Sequence, residues 1–312
     1  MTTGLVSLDG DVVVITGAGR GIGRAHALLF AARGAHVVVN DSGANLDGVP
    51  GRSPADSVVS EIRDSGGTAV ASSHSIDDPR QAADLVKLAR EEFGSVHVVV
   101  HNAGILRDKT LHNLSDDDIE RVLKVHLLGA FNVLRPAVAI MREQRYGRVV
   151  LTSSASGLLG AFGQSNYGAA KMGLVGLMNV LAIEGAERGI LVNTIAPSAK
   201  TRMTEQLLGP LASSLDPEHV SPLVVYLASR ACTVTHHIFA VGGGRYARMF
   251  VGVTPGWARG AGAVATPEEI VANLGTILDT DRYSIPNSGD GELNLLQSAV
   301  KQIGPGPVKF DA

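Results

Sequence analysis

Four β-branched residues, Val12 to Ile15, run straight into Thr16-Gly17-Ala18-Gly19-Arg20-Gly21-Ile22-Gly23, and a stretch of helical apolar spacing begins at once. Glycines at a strand-to-helix turn carry no Cβ, so backbone N–H groups and a helix N-terminus can approach a pyrophosphate. With 37 glycines in 312 residues, the triplet alone also fits a tight turn. Its place after the first strand of a βαβ unit makes it a dinucleotide site. Gly17, Arg20, Gly21, Ile22 and Gly23 are its candidate cofactor-binding residues.

Short β-branched runs then alternate with longer helical stretches, which predicts an α/β fold of βαβ units around a parallel sheet, in a single domain with a C-terminal extension. The strand candidates are Val12 to Ile15, Ala35 to Asn40, Thr68 to Ala71, Val96 to Val100, Arg148 to Thr152, Leu191 to Ile195 and His237 to Val241. Near-continuous Val/Ile runs suit strands covered on both faces. Ala25, Leu28, Leu29 and Ala32 fall at i, i+3, i+4, i+7, as do Ala82, Leu85, Val86 and Ala89, and Leu174, Leu177, Met178 and Leu181; each set predicts a buried helix face. Ser53 before Pro54 and Ser115 before Asp118 read as helix N-caps, so the acidic run Asp116 to Asp118 is a favourable helix start rather than a metal site.

The second strand ends in Val39-Asn40-Asp41. A carboxylate there can accept both hydroxyls of an adenosine ribose and repel a 2′-phosphate, which reads as NAD over NADP. Arg20 gives the opposite advice, since a guanidinium in that loop suits the phosphate. Asp41 decides, because it imposes both repulsion and desolvation on the extra phosphate. Further on, Tyr167 and Lys171 stand four apart on one helix face, where an ammonium would lower the phenol from about 10 towards neutrality. Ser154, at the end of the neighbouring strand, is placed to hold a substrate oxygen. A Tyr/Lys pair of this spacing is by itself an ordinary surface contact.

Charged residues are 18% of the chain and aromatics 4%, with net charge −3. That composition excludes a disordered polyelectrolyte and offers no electrostatic footprint for nucleic acid or an anionic membrane. The single cysteine, Cys232, forms no internal disulfide and reads as a small buried hydrophobe in a reducing compartment. No basic-then-apolar leader, no apolar run near ~18 residues and no organelle tripeptide is visible, so a cytoplasmic location is the expectation. His236 and His237, adjacent in a strand, point to opposite faces and make no metal pair. No metal is expected.

Taken in order, TGAGRGIG, HNAG at His101 to Gly104, SSASG at Ser153 to Gly157, YGAAK at Tyr167 to Lys171 and NTIAP at Asn193 to Pro197 resemble the short-chain dehydrogenase/reductase family over roughly residues 8–245. The resemblance implies a doubly wound parallel sheet of the Rossmann kind with a nicotinamide cofactor, Tyr167 as acid/base, Lys171 binding the nicotinamide ribose and tuning Tyr167, and Ser154 positioning the carbonyl or alcohol. Asn102, Ala103 and Gly104 would line the cofactor cleft, and Pro197 with Thr201 would border the nicotinamide. The strings VVVND, HNAGILRD, VHLLGAFNV, FGQSNYGAAK and NTIAPSAKTRMT are similar to one branch, the (3R)-hydroxyacyl-CoA dehydrogenase part of the peroxisomal multifunctional enzyme type 2 and its free-standing bacterial relatives. This branch shares a long insert after the second strand, here Ser42 to Arg52. It implies an acyl-CoA thioester substrate and an NAD-dependent oxidation at C3. Other readings within the fold are a dehydrogenase of steroids or other secondary alcohols and a 3-oxoacyl-carrier-protein reductase. A non-catalytic dinucleotide-binding regulator is the remote one.

Departures from the broader pattern stand at four places. His126 occupies the helix position where most members carry an asparagine that holds a water; an imidazole there can relay a proton or bond a backbone carbonyl, or be a satisfied core histidine. His74 replaces an aspartate that contacts adenine, leaving the backbone around Ser75 and Ile76 to make that contact. Ser198 replaces a glycine after Pro197, and the Pro197 to Thr201 spacing is a residue short. Arg107 and Arg202 are readable either as ligands of CoA phosphates or as solvated surface charges.

After Arg245 the composition turns rich in Gly and Arg with no clear period. Residues 246–312 are read as an extension packed on the domain or a partner subunit, bridging subunits of a homodimer or homotetramer through apolar residues such as Met249, Phe250 and Trp257. Thr266, Pro267 and Glu269 predict a helix start there, with Ile270, Leu274 and Ile277 as its stripe.

Overall fold

Seven runs rich in valine and isoleucine become parallel strands: β1 (Val12–Thr16), β2 (His36–Asn40), β3 (Thr68–Ser72), β4 (Val98–His101), β5 (Gly147–Thr152), β6 (Ile190–Pro197) and β7 (Ile238–Gly242). An eighth, β8 (Arg245–Met249), pairs antiparallel to β7. The sheet order is β3-β2-β1-β4-β5-β6-β7-β8. The computed structural model describes residues 6–43, 54–201, 213–259 and 264–302. Ser53, most of the predicted insert at 44–52, and Arg202 lie outside them. Helix α2 (Ala55–Asp64) starts at Pro54 with no side-chain cap.

Successive strand residues face opposite sides, and each side finds its own helices. Val13, Ile15, Val37 and Val39 pack with Ala27 and Phe30 of α1 (Gly21–Ala32), Val58 and Ile62 of α2, and Val224 and Leu227 of α8 (Ser221–Ala228). Val12, Val14 and Val38 pack on the other side with Leu85 and Val86 of α3 (Pro79–Phe93), Val133 and Met141 of α5 (Gly129–Gln144), and Leu174 and Met178 of α7 (Ser165–Gly185). Each fully buried side chain of this size contributes about 1.5–3 kcal/mol. The predicted α3 stripe is buried throughout. On α1 the buried face is instead centred on Ala27, Phe30 and Ala31, with Ala32 exposed, because the sheet meets the helix about one residue round from the predicted stripe.

The stretches Asp116–Gln144 and Ser165–Arg188 have the length and apolarity of membrane-crossing helices. In this fold Val133, Leu134, Leu174 and Met178 within them are core residues against the sheet. Cys232 is buried, its thiol donating to the Val234 carbonyl at 3.3 Å.

The chain divides into two compact units, Met1–Met249 and Phe250–Ala312. The first includes β8, where sequence showed no period. Gly243 and Gly244, at φ 54° and 80°, make the two-residue turn from Gly242 to its partner Arg245, and positive φ at both positions is what a tight hairpin needs. Met249 packs against the core on that sheet face. In the second unit, Thr266 and Glu269 form a reciprocal capping box at the start of α9 (Pro267–Ala272). The predicted stripe is not one helix, because the chain breaks at Asn273 before α10 (Leu274–Leu278). Phe250 stacks on Tyr283 with centroids 5.3 Å apart, so it has a partner within its own unit.

Candidate active site

The sheet order reverses between β1 and β4, and a crevice opens beyond their carboxyl ends, where such sheets bind ligands. The cleft measures about 930 Å³. Its wall includes Gly17, Arg20, Gly21, Ile22, Asp41, Ser75, Ile76, Asn102, Ala103, Gly104, His126, Ser154, Tyr167, Lys171, Pro197 and Thr201. Sequence reasoning had singled out all of these.

Gly23 stands just behind the wall. A Cβ there would lie 2.1 Å from the Gly17 carbonyl oxygen, and one at Gly17, whose φ is +64°, would lie 2.7 Å from the Ala103 Cα. The turn therefore stays bare backbone, the cradle that a pyrophosphate needs. The Asn102 side-chain amide donates to the carbonyls of Thr16 and Gly17 at 3.2 and 3.1 Å, joining the HNAG segment to the turn. Thr16 Oγ1 accepts from the N–H groups of Asn102 and Ala103 at 3.0 and 3.1 Å. Asp41 is fixed as well: its Oδ2 accepts from Gly19 N–H at 3.0 Å and its Oδ1 from Gly43 N–H at 2.9 Å. These residues fit a nicotinamide dinucleotide.

Ser75 and Ile76 line the adenine end of the cleft. Ser75 N–H already donates to Gln81 Oε1 at 2.9 Å, and the Ile76 carbonyl accepts from Asn132 at 2.9 Å. His74 lines the cleft, its Nδ1 2.9 Å from Ser72 Oγ and its carbonyl accepting from the buried Asn40 amide. Ser198 continues the β6 pairing, donating its N–H to the Val241 carbonyl at 2.8 Å.

Ser154 caps α6 (Ala155–Leu159), accepting from Ser156 N–H at 3.1 Å, and lines the same cleft as Tyr167. Lys171 lies one turn along α7, buried, with Nζ donating to the Thr152 carbonyl at 2.6 Å and standing 5.5 Å from the Tyr167 ring centre. Sequence missed Ser153, whose hydroxyl donates to the Lys171 carbonyl at 2.7 Å and anchors that turn of helix. The SSASG string contained it, but no spacing rule gave it a role.

The surroundings of the phenol pull in opposite directions. Burial pushes Tyr167 above the ordinary tyrosine value, the Ser154 hydroxyl opposes this, and the Asp108 charge adds to it. Burial also pushes Lys171 down to about 7, because it disfavours the ammonium charge.

Arg107 is partly buried and ion-paired. Its guanidinium lies 3.3 Å from the buried Asp118 and 3.8 Å from Asp117. Asp118 belongs to α4 (Asp116–Leu123), where it completes a capping box with Ser115, and it also accepts from Lys109 at 2.6 Å. Asn166 donates to the carbonyls of Arg107 and Asp118, both at 3.1 Å, and accepts from Tyr167 N–H at 2.8 Å. The loop after β4 is thereby tied to the catalytic helix. His126 sits in a π turn, Lys124–Leu128, fully buried. His236 and His237 bond separately, to Asn179 and to the Thr235 carbonyl.

The short chain dehydrogenase family model matches residues 11–209. A short-chain type dehydrogenase/reductase of Mycobacterium tuberculosis is 53% identical over 240 residues, 76% of this chain and 84% of that protein. The mouse peroxisomal multifunctional enzyme type 2 is 46% identical over 289 residues, 90% of this chain; the chain spans only 38% of that enzyme's length. The hydroxyacyl-CoA dehydrogenase ChsB1 of M. tuberculosis is 40% identical over 262 residues, 78% of this chain and 80% of that one. Among solved structures, a short chain dehydrogenase from Mycobacterium avium superposes with TM-score 0.76 at 46% identity, covering 88% of this chain and 98% of its own.

Proposed function

The chain belongs to the short-chain dehydrogenase family of oxidoreductases, which bind a nicotinamide dinucleotide, and from that premise we propose that it oxidises the C3 hydroxyl of a (3R)-hydroxyacyl-CoA with NAD. The observation that carries the reaction is the convergence of Ser154, Tyr167 and the buried Lys171 in the cleft opened by the glycine turn. The likeness to a named hydroxyacyl-CoA dehydrogenase, together with the multifunctional enzyme, supports the thioester substrate. Asp41, pinned by two backbone N–H groups at the end of β2, supports NAD over NADP.

Bound NAD supplies the hydride acceptor. Ser154 donates its hydroxyl hydrogen to the substrate oxygen and holds it against Tyr167. The Tyr167 oxygen takes the hydroxyl proton, and Lys171, fixed through Thr152 beside the Tyr167 ring, would hold the nicotinamide ribose. Gly17, Gly21 and Ile22 would hold the pyrophosphate and Asp41 the adenosine ribose.

The test is reduced-cofactor formation from (3R)- and (3S)-hydroxyacyl-CoA with NAD+ or NADP+, beside Tyr167→Phe. Turnover confined to the 3R isomer and NAD+, and reduced about 10²–10⁴-fold in the variant, is expected. Protein that binds NAD+ but turns over neither isomer would refute the substrate, and turnover with NADP+ in preference would refute the role of Asp41.

A further inference from the structure

The carboxyl edge of the sheet carries a hydroxyl that the mechanism above leaves unused. Thr152, the last residue of β5, is 6% exposed, and its Oγ1 is buried with no hydrogen-bond partner among the described residues. A threonine hydroxyl can donate one hydrogen bond and accept two. Native structures rarely leave such a group unpaired without a reason. The same residue lines the cleft.

The register of the sheet fixes which part of the cleft the side chain meets. Ile15, Val100 and Val150 share one row across β1, β4 and β5 and pack on the α1 side. Two residues on, where side chains return to the same face, stand Gly17, Asn102 and Thr152. Gly17 belongs to the glycine turn, the Asn102 amide donates to its carbonyl, and all three residues line the cleft. Strands lie about 4.8 Å apart, so Thr152 stands about 10 Å along the sheet from the pyrophosphate cradle. Asp41, at the end of β2, lies on the other side of β1. A dinucleotide with its pyrophosphate on the turn and its adenosine at Asp41 therefore sends its other half towards β4 and β5. The Thr152 carbonyl already holds Lys171 Nζ there, at 2.6 Å.

We propose that the Thr152 hydroxyl is a hydrogen-bonding contact for the nicotinamide riboside half of the cofactor. That half carries hydroxyls on its ribose and a carboxamide on its ring, each able to donate and to accept. It thus satisfies a hydroxyl that the protein does not. Thr194 provides the contrast. Its Oγ1 is likewise buried and unpartnered, but Thr194 shares a row with Leu151 on the α7 side and lies outside the cleft wall. Burial of an unpaired hydroxyl alone gives Thr194 no ligand; position on the cleft gives Thr152 one.

The inference rests on the family's nicotinamide cofactor and not on the thioester substrate, and its test needs no turnover. Thr152→Val exchanges the hydroxyl for a methyl at nearly constant shape. Titration of the protein with NAD+, and with NADH by its fluorescence, should give dissociation constants about 3–10-fold higher in this variant, the worth of one neutral hydrogen bond. ADP keeps the adenosine and the pyrophosphate but has no nicotinamide riboside, and should bind parent and variant within about two-fold. Thr152→Ser, which keeps the hydroxyl, and Thr194→Val should each bind NAD+ within about two-fold of the parent. An unmoved NAD+ constant in Thr152→Val overturns the proposal. So does an equal loss of ADP, which would mean a distorted cradle, or an equal loss of NAD+ in Thr152→Ser or Thr194→Val. Should Thr152→Val not fold, Thr152→Ser against Thr152→Ala decides: tighter NAD+ binding by the serine protein upholds the contact, and equal binding refutes it. If NADP+ is the tighter ligand, NADP+ and 2′-phospho-ADP take the places of NAD+ and ADP. A protein that oxidises no hydroxyacyl thioester still yields every one of these constants, so that failure is separable from this one.

Discussion

Asp118 accepts a 2.6 Å hydrogen bond from Lys109 while its own helix uses it as a cap, so a single carboxylate fastens the loop after β4 to the start of α4. Lys109 and the Ser115 bonds hold it well below the usual carboxylate range.

Asp118→Asn should therefore lower Tm more than Asp117→Asn, whose carboxylate is exposed on the same turn. The sign with pH follows from linkage. A depressed carboxylate stabilises the fold fully above its unfolded value of about 3.9 and loses that contribution as pH falls towards its folded value. The gap in Tm between parent and variant should be full at pH 7 and narrow on acidification below about pH 4; a gap independent of pH would contradict the ion-pair account.

Lys171 sets stability against catalysis. Its folded value is about 7 against an unfolded value of about 10.4. Between those limits the unfolded chain holds a proton that the folded chain lacks, so this group's contribution improves as pH rises, and its burial costs most below pH 7. Lys171→Met should lose turnover yet be more stable than the parent at pH 6, by on the order of 2 kcal/mol, with the advantage gone near pH 10.5. Denaturant melts at the two pH values measure this, and a variant destabilised at pH 6 would contradict it.

Oxidation requires the Tyr167 phenolate, and burial with the Asp108 charge raises the phenol. Turnover in that direction should climb on the alkaline side of neutrality. Asp108→Asn should move the climb to lower pH, and the displacement should shrink in high salt, because Asp108 is exposed. A pH–rate profile unaltered by the substitution would remove Asp108 from the site's electrostatics.

Gly104→Ala should cost about 1–3 kcal/mol, the usual penalty for overfilling a packed site. The His126 ring, bonded to Ile105, has nowhere to retreat. Urea melts of the variant check it. An unchanged midpoint would mean that the ring moves freely.

What sequence revealed and what it withheld divides along physical lines. The strands and the glycine turn were legible because Val/Ile runs and missing Cβ atoms are local signals. Spacing also singled out Asp41, Tyr167 and Lys171, which the fold brings to one cleft. The phenol's environment was not, since desolvation depends on everything packed around Tyr167. Nor were the second duties of Asp118 and Asn166, which join segments distant along the chain. The acidic run was read correctly as a helix start; nothing local says that its third member also holds Lys109 and Arg107.

The reversed strand β8 bears on how the protein behaves when crowded. A sheet that ended on β7 would offer a straight row of unpaired amides and carbonyls, an invitation to another chain's strand. The Gly243-Gly244 hairpin instead folds the chain back over that row and makes Arg245–Met249 the outermost strand on that side among the described residues. Two of its five residues are arginines. An in-register copy laid alongside would bring like charges together, so at high concentration this border resists the strand-to-strand stacking that begins aggregation.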